Sequence, residues 1–293
     1  MIAVVTIVHG RHDHLRNQRR ALLTSERPVD LHVVVAMGDP GVRRALADSE
    51  GYGPPVLLED LPADPAGLPL AAARNRAAAL ALGAGADVLV FLDVDCLPTP
   101  GLVGRYAQAV RDRRGAGSVP AVWCGATARL PQLAGAADYP VADPPVLSAM
   151  AVPDRGRPVL ADGAVQAESD FTTFWSLNFA LGQSDWAAVG GFDEAYVGYG
   201  GEDTDFGQRL GRVGGRLVWT GGATALHQWH ETQSPPVGHL ADIVRNANLF
   251  AQRWGWWPME GWLEGFRAQG LAQQDGPGGR WRVAAEQMTP ESS

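Results

Sequence analysis

The chain alternates short apolar runs with segments of helix-forming residues, and this alternation restricts its fold more than any other feature. Continuous apolar runs rich in β-branched residues or leucine are typical of parallel strands covered on both faces. Three such runs occur, at residues 2–8, 31–36 and 88–92. Helices are predicted between and after them, at residues 12–23, 70–82 and 101–111. The order predicts an α/β protein with an open, doubly wound, mainly parallel sheet and helices on both faces.

The pattern becomes less regular after Val122. Residues 131–165 are rich in Pro, Ala, Gly and Asp without a clear period, which predicts a long, variable loop. Further along, we expect strands at 171–181 and 217–219 and helices at 185–189, 204–212 and 239–253. The first of these helices would be capped by Ser184. Beyond Gly276 the composition predicts a frayed tail.

Composition excludes several classes of protein. With 46% hydrophobic and 19% charged residues among 293, the chain is globular rather than disordered. A net charge of -8 argues against binding nucleic acid through its phosphates. No apolar run is long enough to span a membrane, and no basic stretch marks a secretory leader. Two cysteines, Cys96 and Cys124, make no disulfide framework, so we expect a cytoplasmic protein.

The first candidate site follows the third apolar run, where Leu92 leads directly into Asp93-Val94-Asp95. In an open α/β sheet, ligands bind beyond the carboxyl ends of the strands. Two carboxylates at that position attract a divalent cation, which can in turn hold phosphate oxygens. The same short sequence is also compatible with a solvated strand end.

The second candidate site combines two glycine pairs with five carboxylates, in GGFDE at 190–194 and GYGGEDTD at 198–205. Glycine pairs, including Gly200-Gly201, let the backbone turn sharply and approach a ligand. Glu202 and Asp203 precede the predicted helix, whose dipole favours an ionised carboxylate able to accept a proton. The alternative is that these acids only cap the helix.

The third candidate site is His227-Gln-Trp-His230, just after a short predicted strand. Two imidazoles three residues apart could reach a metal held by Asp93 and Asp95. Imidazole together with carboxylate suits a transition metal such as Mn²⁺.

In this order, the motifs resemble those of GT-A glycosyltransferases. GGFDE followed by GYGGEDTD is similar to the GGFxx…GWGGEDDD block of the β-1,4-galactosyltransferases and to the GGFDE…ED of glycosyltransferase family 2. FLDVD resembles the DxD motif of these enzymes, and Ala73-Arg74-Asn75 resembles the ARN helix start of family 2. His9-Gly10-Arg11 resembles the loop that holds the nucleotide in galactosyltransferases. The resemblance covers about residues 2–253 and implies a GT-A fold.

The resemblance also implies roles for individual residues. Asp95 would bind Mn²⁺ or Mg²⁺, with Asp93 orienting the donor and counted as a further ligand. In the galactosyltransferases a Met and a His complete the metal shell. The matching positions here are His227 and His230, and the Met-to-His change leaves open which imidazole binds. We favour His230, with His227 as a candidate second ligand.

Other matching positions fall into two groups. Asp203 matches the general base that acts on the acceptor hydroxyl, and Glu202 beside it lines the sugar site. Gly201 and Tyr199 lie in the same block, with Tyr199 replacing a Trp of the galactosyltransferases. The positions that match nucleotide contacts are His9, Arg11, Asp39 and Arg74.

The implied reaction is metal-dependent, inverting transfer of a hexose from a nucleoside-diphosphate sugar, here expected to be a UDP-sugar, to a carbohydrate or small-molecule acceptor. We expect a single GT-A domain over residues 1–275. In it, residues 1–125 would bind the nucleotide sugar and residues 126–275 the acceptor, while residues 276–293 would form a flexible tail.

Three other functions are weaker readings of the sequence. A non-catalytic nucleotide-sugar or carbohydrate-binding protein on the same fold would not need Asp203. A sugar-1-phosphate nucleotidyltransferase has a glycine-rich loop after its first strand, and HGRHDHLRNQ lacks those glycines. A Rossmann dehydrogenase is disfavoured because no G-x-G-x-x-G follows that strand.

The tryptophans are unevenly placed, since five of the ten lie beyond residue 250 and four of these fall in 254–262. Indole rings suit the flat C–H face of a sugar. The cluster therefore either lines the acceptor site or packs the last helix onto the sheet.

Overall fold

The apolar runs near the N-terminus form the parallel half of a mixed sheet. The computed structural model describes residues 1–49, 51–113 and 119–284. In it, β1 (Ile2–Val8) lies between β2 (Leu31–Met37) and β4 (Val88–Leu92) and is parallel to both. β3 (Val56–Leu61) extends this half and pairs in parallel with β2. Every residue of β1 and β4 is buried, as expected for strands covered on both faces.

Antiparallel pairing begins on the other side of β4. β9 (Asn178–Gly182) is antiparallel to both β4 and β6 (Ala121–Arg129). β10 (Arg216–His227) is parallel to β6, and the three-residue β5 (Cys96–Pro98) pairs antiparallel with the end of β10. The strand order is β3-β2-β1-β4-β9-β6-β10-β5. The mainly parallel, helix-flanked sheet predicted from the sequence is confirmed.

Helices lie on both faces of the sheet. Those of the described residues are α1 (His12–Leu23), α2 (Gly41–Ala47), α3 (Leu70–Gly83), α4 (Leu102–Asp112), α5 (Pro144–Ala149), α6 (Gln183–Val189), α7 (Glu202–Arg212), α8 (Leu240–Trp254) and α9 (Glu260–Ala268). Ala3, Val5 and Ile7 of β1 belong to the apolar cluster that includes α3. The alternate residues Ile2 and Val4 pack in the cluster that includes α4.

The segment at 131–165 is more ordered than its composition suggested. It contains α5, β7 (Val152–Pro153) and a short 3₁₀ helix at Ala136–Asp138, and at its end begins β8 (Val165–Glu168). Arg157 fastens it to the sheet by donating to the backbone carbonyls of Gly125 at 2.9 Å and Trp175 at 2.7 Å. The prediction of a long irregular loop is therefore wrong in part.

Several boundaries differ from the expectations. The aromatic run at 171–181 is a strand only from Asn178, and Phe171–Thr173 is a 3₁₀ helix. Ser184 is not a cap, because α6 already begins at Gln183 after Gly182. Helix α7 begins at Glu202, two residues earlier than predicted, and β10 has 12 residues where three were expected.

The C-terminal residues form a small hairpin. β11 (Ala272–Gln274) pairs antiparallel with β12 (Trp281–Val283), and Trp281 is buried in a cluster with α8 and α9. The segment expected as a tail from residue 276 thus includes a strand, whereas residues 285–293 lie outside the described ranges. Cys96 and Cys124 are buried free thiols. Among the described helices, none combines the length and apolar character needed to cross a bilayer.

A glycine in β6 offers a test of this packing. A Cβ atom at Gly125 would lie 1.7 Å from the Ala223 carbonyl oxygen, in the irregular part of β10. We expect Gly125→Ala to lower the free energy of unfolding by about 1–3 kcal/mol, as overpacked cores do. At Gly83, in the last turn of α3, a Cβ would meet nothing within 4 Å. Gly83→Ala should be neutral or stabilising by up to about 1 kcal/mol. Urea unfolding followed by circular dichroism measures both, and equal effects would contradict this packing.

Candidate active site

The predicted site residues lie at one edge of the sheet, because several strands end there. Asp93 and Asp95 follow β4, and His227 is the last residue of β10. β5 brings these two strand ends together, since Cys96 is paired in register with His227. The backbone N–H of Gln228 also donates to the carbonyl oxygen of Asp95 at 2.7 Å. Residues more than 130 positions apart in the chain are therefore fixed beside each other by backbone pairing.

Asp95, His227 and His230 form a cluster able to hold a metal ion. The Nε2 atom of His227 lies 3.7 Å from one oxygen of Asp95, and the Nε2 atom of His230 lies 3.5 Å from the other. One candidate ligand atom from each residue falls within 4.8 Å of the other two. Two imidazoles and a carboxylate suit a transition metal such as Mn²⁺. The structure brings both histidines to Asp95, so it does not favour one over the other.

Arg11 completes the surroundings of Asp95. It has left-handed backbone angles (φ 50°) directly before α1, and its guanidinium contacts the Asp95 carboxylate and lies 3.4 Å from Nδ1 of His230. Burial opposes ionisation of Asp95, but a hydrogen bond from His230 and the charges of His227 and Arg11 outweigh it. The pKa of Asp95 is consequently held well below its usual range. The carboxylate stays ionised and available to a cation.

Asp93 faces a different partner. Its Oδ1 atom lies 3.3 Å from Arg74, and Arg74 also donates to Oε1 of Glu202 at 3.0 Å. The Arg74 and Glu202 side chains are each only 6% exposed, and the guanidinium lies over the ring of Phe192. The sequence predicted Asp93 as a further metal ligand. In the structure, Asp93 is not part of the cluster of Asp95, His227 and His230, hereafter the metal-type cluster. Instead, one buried cation joins Asp93 and Glu202.

The first turn of α7 presents Asp203 next to this buried triad. Gly201 precedes the helix with φ 92°, in the left-handed region that favours glycine. Burial raises the pKa of Asp203, and the neighbouring Glu202 charge raises it further, against the opposing charge of Arg74. A carboxylate with a raised pKa is a better proton acceptor than an ordinary aspartate.

Three of the four residues expected to contact a nucleotide, His9, Arg11 and Asp39, lie in two linked loops, whereas Arg74 lies in α3. Nδ1–H of His9 donates to the carbonyl oxygen of Met37 at 2.7 Å. Asp39 accepts from the backbone N–H groups of Gly10 and Gly41 and lies 2.8 Å from Nε2 of His12. The two oxygens of Asp39 thus join the loop after β1 to the loop after β2. In this structure its contacts hold the loop that carries His9 and Arg11.

The ARN segment, which lies in α3, makes hydrogen bonds to both parts of the GGFDE…GYGGEDTD block. While Arg74 holds Glu202, the Asn75 side chain donates to the Phe192 carbonyl and accepts from the Phe192 N–H, both at 2.8 Å. A Cβ at Gly191 would lie 2.7 Å from Oδ1 of Asn75, so only glycine fits there. The sequence blocks that carry the family resemblance are therefore in direct contact.

Tyr199 stacks on two aromatic residues that lie outside the family motifs, His239 and Trp262. Its ring stacks on His239 with centroids 4.6 Å apart and on Trp262 at 5.9 Å, and it is 39% exposed. Other members of the tryptophan cluster contact other parts of the chain. Nε1–H of Trp254 donates to Asp205 at 2.8 Å, and Trp256 packs on Phe250. Trp262 is the member that the structure places beside Tyr199.

Sequence reasoning missed the polar side chains that hold these motifs. Gln18 of α1 donates to the backbone carbonyls of Asp93 and Cys96 at 2.7 and 3.0 Å. Asn17 donates to the side chain of Gln228 at 2.8 Å, and Asn246 of α8 lies against the turn before α7. A single Asn or Gln in a helix has no local signature. The one available signal was the placement of these residues on helix faces otherwise expected to be apolar.

Comparisons with known proteins agree with this architecture. Residues 159–228 match the family model described as the N-terminal domain of galactosyltransferase. A stretch of 78 residues is 40% identical to N-acetylglucosaminyl-diphospho-decaprenol L-rhamnosyltransferase of Mycobacterium tuberculosis (strain CDC 1551 / Oshkosh), covering 26% of this chain and 25% of that protein. A stretch of 80 residues is 33% identical to validoxylamine A glucosyltransferase of Streptomyces hygroscopicus subsp. jinggangensis (strain 5008), covering 27% and 18%. The matches thus span a quarter or less of these curated relatives.

Solved structures share the fold over most of the chain. GalNAc-T7 with UDP, GalNAc and Mn²⁺ superposes with a TM-score of 0.55 at 14% identity, covering 86% of this chain and 49% of that one. The mannosyltransferase PcManGT from Pyrobaculum calidifontis, in complex with GDP-Man and Mn²⁺, gives a TM-score of 0.51 at 14% identity, covering 91% and 64%.

The chain therefore has the GT-A fold, and its resemblance to family 2-like GT-A glycosyltransferases is confirmed. The galactosyltransferase-type block lies within it, because residues 159–228 include both GGFDE and GYGGEDTD.

The buried Arg74 gives a direct test of the site's construction. Removing it leaves Glu202 buried without its counter-charge, so we expect Arg74→Met to lower the free energy of unfolding by about 3–5 kcal/mol. Arg76, two residues further on in α3, pairs with Glu59 in a half-exposed ion pair. Arg76→Met should change stability by no more than about 1 kcal/mol. Urea denaturation of both variants provides the measurement. A loss for Arg74→Met as small as that of the control would contradict the triad's structural role.

Proposed function

We propose that this chain is a metal-dependent, inverting glycosyltransferase that moves a hexose from a nucleoside-diphosphate sugar to an acceptor hydroxyl. One observation carries the proposal. A cluster suited to a metal and a carboxylate suited to proton removal lie on either side of the ion triad Asp93-Arg74-Glu202, because Asp95 follows Asp93 by two residues and Asp203 directly follows Glu202. Such a site serves a reaction in which a diphosphate leaves and a hydroxyl attacks.

The donor set fits the divalent metal that the family resemblance implies. Asp95, His227 and His230 would hold Mn²⁺ or Mg²⁺, and the low pKa of Asp95 keeps its ligand oxygens ionised. When bound, the metal would supply Lewis-acid stabilisation to the charge that develops on the departing diphosphate. We count Asp93 as a residue that orients the donor, because its carboxylate is directed to Arg74.

The chain's own residues then divide the remaining work. Asp203 accepts the proton of the acceptor hydroxyl as its oxygen attacks the anomeric carbon from the face opposite the diphosphate. Glu202 is the ion partner of Arg74 and keeps the first turn of α7 in place. Arg11 lies beside Asp95 of the metal-type cluster, where its guanidinium can bind the phosphates of the donor. His9 and Asp39 fix the loop that carries Arg11.

A single displacement is favoured over a double one. A retaining mechanism needs a second, nucleophilic carboxylate beside the anomeric carbon. Asp193 pairs with Arg253 at 2.6 Å, and Glu194 accepts from Asn75 at 2.8 Å. Asp193 and Glu194 are thus held by partners of their own, which supports inversion.

We favour a UDP-sugar as donor, since the matching family model is of the galactosyltransferase type and GalNAc-T7 is described with UDP. The similar proteins include rhamnosyl-, glucosyl- and mannosyltransferases, so the sugar is best found by experiment. A nucleotide-sugar panel, assayed for release of nucleoside diphosphate with Mn²⁺ or with EDTA, tests the proposal. We expect turnover of a UDP-sugar that EDTA abolishes. Binding without turnover would instead indicate a non-catalytic carbohydrate-binding protein, and neither binding nor turnover would refute both.

Asp203 is the residue on which turnover should depend most. Asp203→Asn keeps the shape of the side chain but removes the proton acceptor, so we expect kcat to fall about 10²- to 10⁴-fold. Donor binding, measured by calorimetry with Mn²⁺ and the nucleoside diphosphate, should stay within about twofold, because uniform binding does not depend on the base. Asp193→Asn is the matched control in the same sequence block and should retain turnover. Full activity in Asp203→Asn would rule out the assigned role.

A further inference from the structure

We infer that Asn246 is a positioning residue, which holds the glycine turn before α7 and thereby places Asp203. The inference rests on the proposed function, in which Asp203 is the base. Asn246 lies in the middle of α8 and is completely buried. Its Nδ2 atom lies 2.8 Å from the carbonyl oxygen of Gly200, 3.0 Å from that of Val197 and 3.3 Å from that of Tyr199. One amide group thus meets three carbonyls of the same turn.

The turn needs a donor at this place because of its backbone conformation. Gly198, Gly200 and Gly201 all have positive φ, at 73°, 91° and 92°. Glycine adopts these angles without strain but loses much conformational entropy when fixed in them. Three carbonyl oxygens of the turn converge on the Asn246 amide, and buried carbonyls require hydrogen-bond donors. The side-chain amide of Asn246 offers its two N–H groups to these three oxygens from outside the turn.

The neighbouring side chains of α8 grip the same turn at its rim. Asp242, one helical turn before Asn246, accepts from the backbone N–H of Tyr199 at 3.2 Å. Arg245 contacts the carbonyl oxygen of Val197. A Cβ at Gly198 would lie 2.2 Å from the Asp242 carboxylate, so the turn and the helix fit closely. Asp242 and Arg245 reach the turn from the more exposed side, whereas Asn246 does so from the buried side.

The connection to Asp203 is short. Gly201 directly precedes Glu202 and Asp203, and a Cβ on Gly201 would lie 3.6 Å from Cβ of Asn246. The first turn of α7 is therefore held from two directions, by Arg74 through Glu202 and by Asn246 through Gly200. Catalytic groups tolerate little displacement, since a shift of about 1 Å can cost about 100-fold in rate.

The amide oxygen of Asn246 has no partner among the described residues, and this supports a specific role for its N–H groups. Oδ1 of Asn246 is buried and has no hydrogen-bond partner in the described structure. A buried, unpaired carbonyl is unfavourable, and an apolar side chain of similar size would avoid that cost. Leucine at this position would remove the unpaired oxygen, but it would also leave the three carbonyls of the turn without the amide N–H donors.

The test compares Asn246→Leu with a matched control on the same helix. Asn248 also donates to backbone carbonyls, of Val244 at 2.7 Å and Trp281 at 2.9 Å, and fastens β12 rather than the turn. Asn248→Leu therefore removes the same chemistry from another segment. Asn246→Ser, which retains one hydroxyl donor, serves as the milder variant should Asn246→Leu fail to fold. All variants are made in the full chain.

Two readouts separate positioning from general stability. We expect amide hydrogen exchange across residues 197–201 to quicken about tenfold in Asn246→Leu, as the loss of a hydrogen bond predicts. We expect kcat to fall about 10- to 100-fold with the donor KM little changed, because only the base is displaced. Asn248→Leu should show neither effect, and Asn246→Ser should be intermediate in both.

The outcomes distinguish this inference from the proposed function. An equal fall in kcat for Asn248→Leu, or unchanged exchange and kcat in Asn246→Leu, would overturn the role of Asn246. A wild-type protein without turnover would overturn the proposed function and with it the catalytic part of the inference. In that case the exchange measurement still decides whether Asn246 holds the turn.

Discussion

The contact between Arg74 and two carboxylates is the interaction on which the rest of the site depends. One carboxylate, Asp93, follows the central strand β4, and the other, Glu202, opens helix α7. A buried cation with two hydrogen-bonded partners can be displaced only by leaving charges unpaired, which is costly. The strand end and the helix start are therefore fixed relative to each other. Because Asp95 and Asp203 are the neighbours of these partners, the same contact sets the separation between the metal-type cluster and the candidate base.

Backbone register supplies the second constraint, and it acts on the opposite side of Asp95. The pairing of Cys96 with His227 brings the end of β10 to the Asp93–Asp95 turn without any side-chain contact. Gln18 of α1 then holds that turn through two carbonyls. Side chains thus position the candidate base Asp203, whereas strand pairing, reinforced by the Gln18 side chain, positions Asp95 and His227. A substitution in Asp95, His227 or His230 should for this reason alter ligand binding more readily than the fold.

The sequence predicted the fold where one local signal was sufficient. Unbroken apolar runs identified β1 and β4, and DVD, GYGGEDTD and HQWH identified residues that the structure indeed brings to one edge. It failed where the deciding contacts are distant. β6 and most of β10 were missed because glycine and threonine interrupt their apolar pattern, and the pairing of Asp93 with Arg74 cannot be read from spacing. The only sign of Asn246 in the sequence is a polar residue on an otherwise apolar helix face, because its partners are backbone carbonyls some 45 to 50 positions away.

The tryptophan-rich segment shows how the C-terminal helices belong to the site rather than merely covering the sheet. Trp254 ties α8 to α7 through Asp205, while Trp262 of α9 packs beside Tyr199 in the glycine turn. A Cβ at Gly200 would lie 2.8 Å from the sulfur of Met259, directly before α9. Helix α8, Trp262 of α9 and Met259 directly before α9 therefore all contact the turn that precedes Asp203. Since a glycine turn has little rigidity of its own, the geometry of the candidate base depends on residues that follow the last motif in sequence.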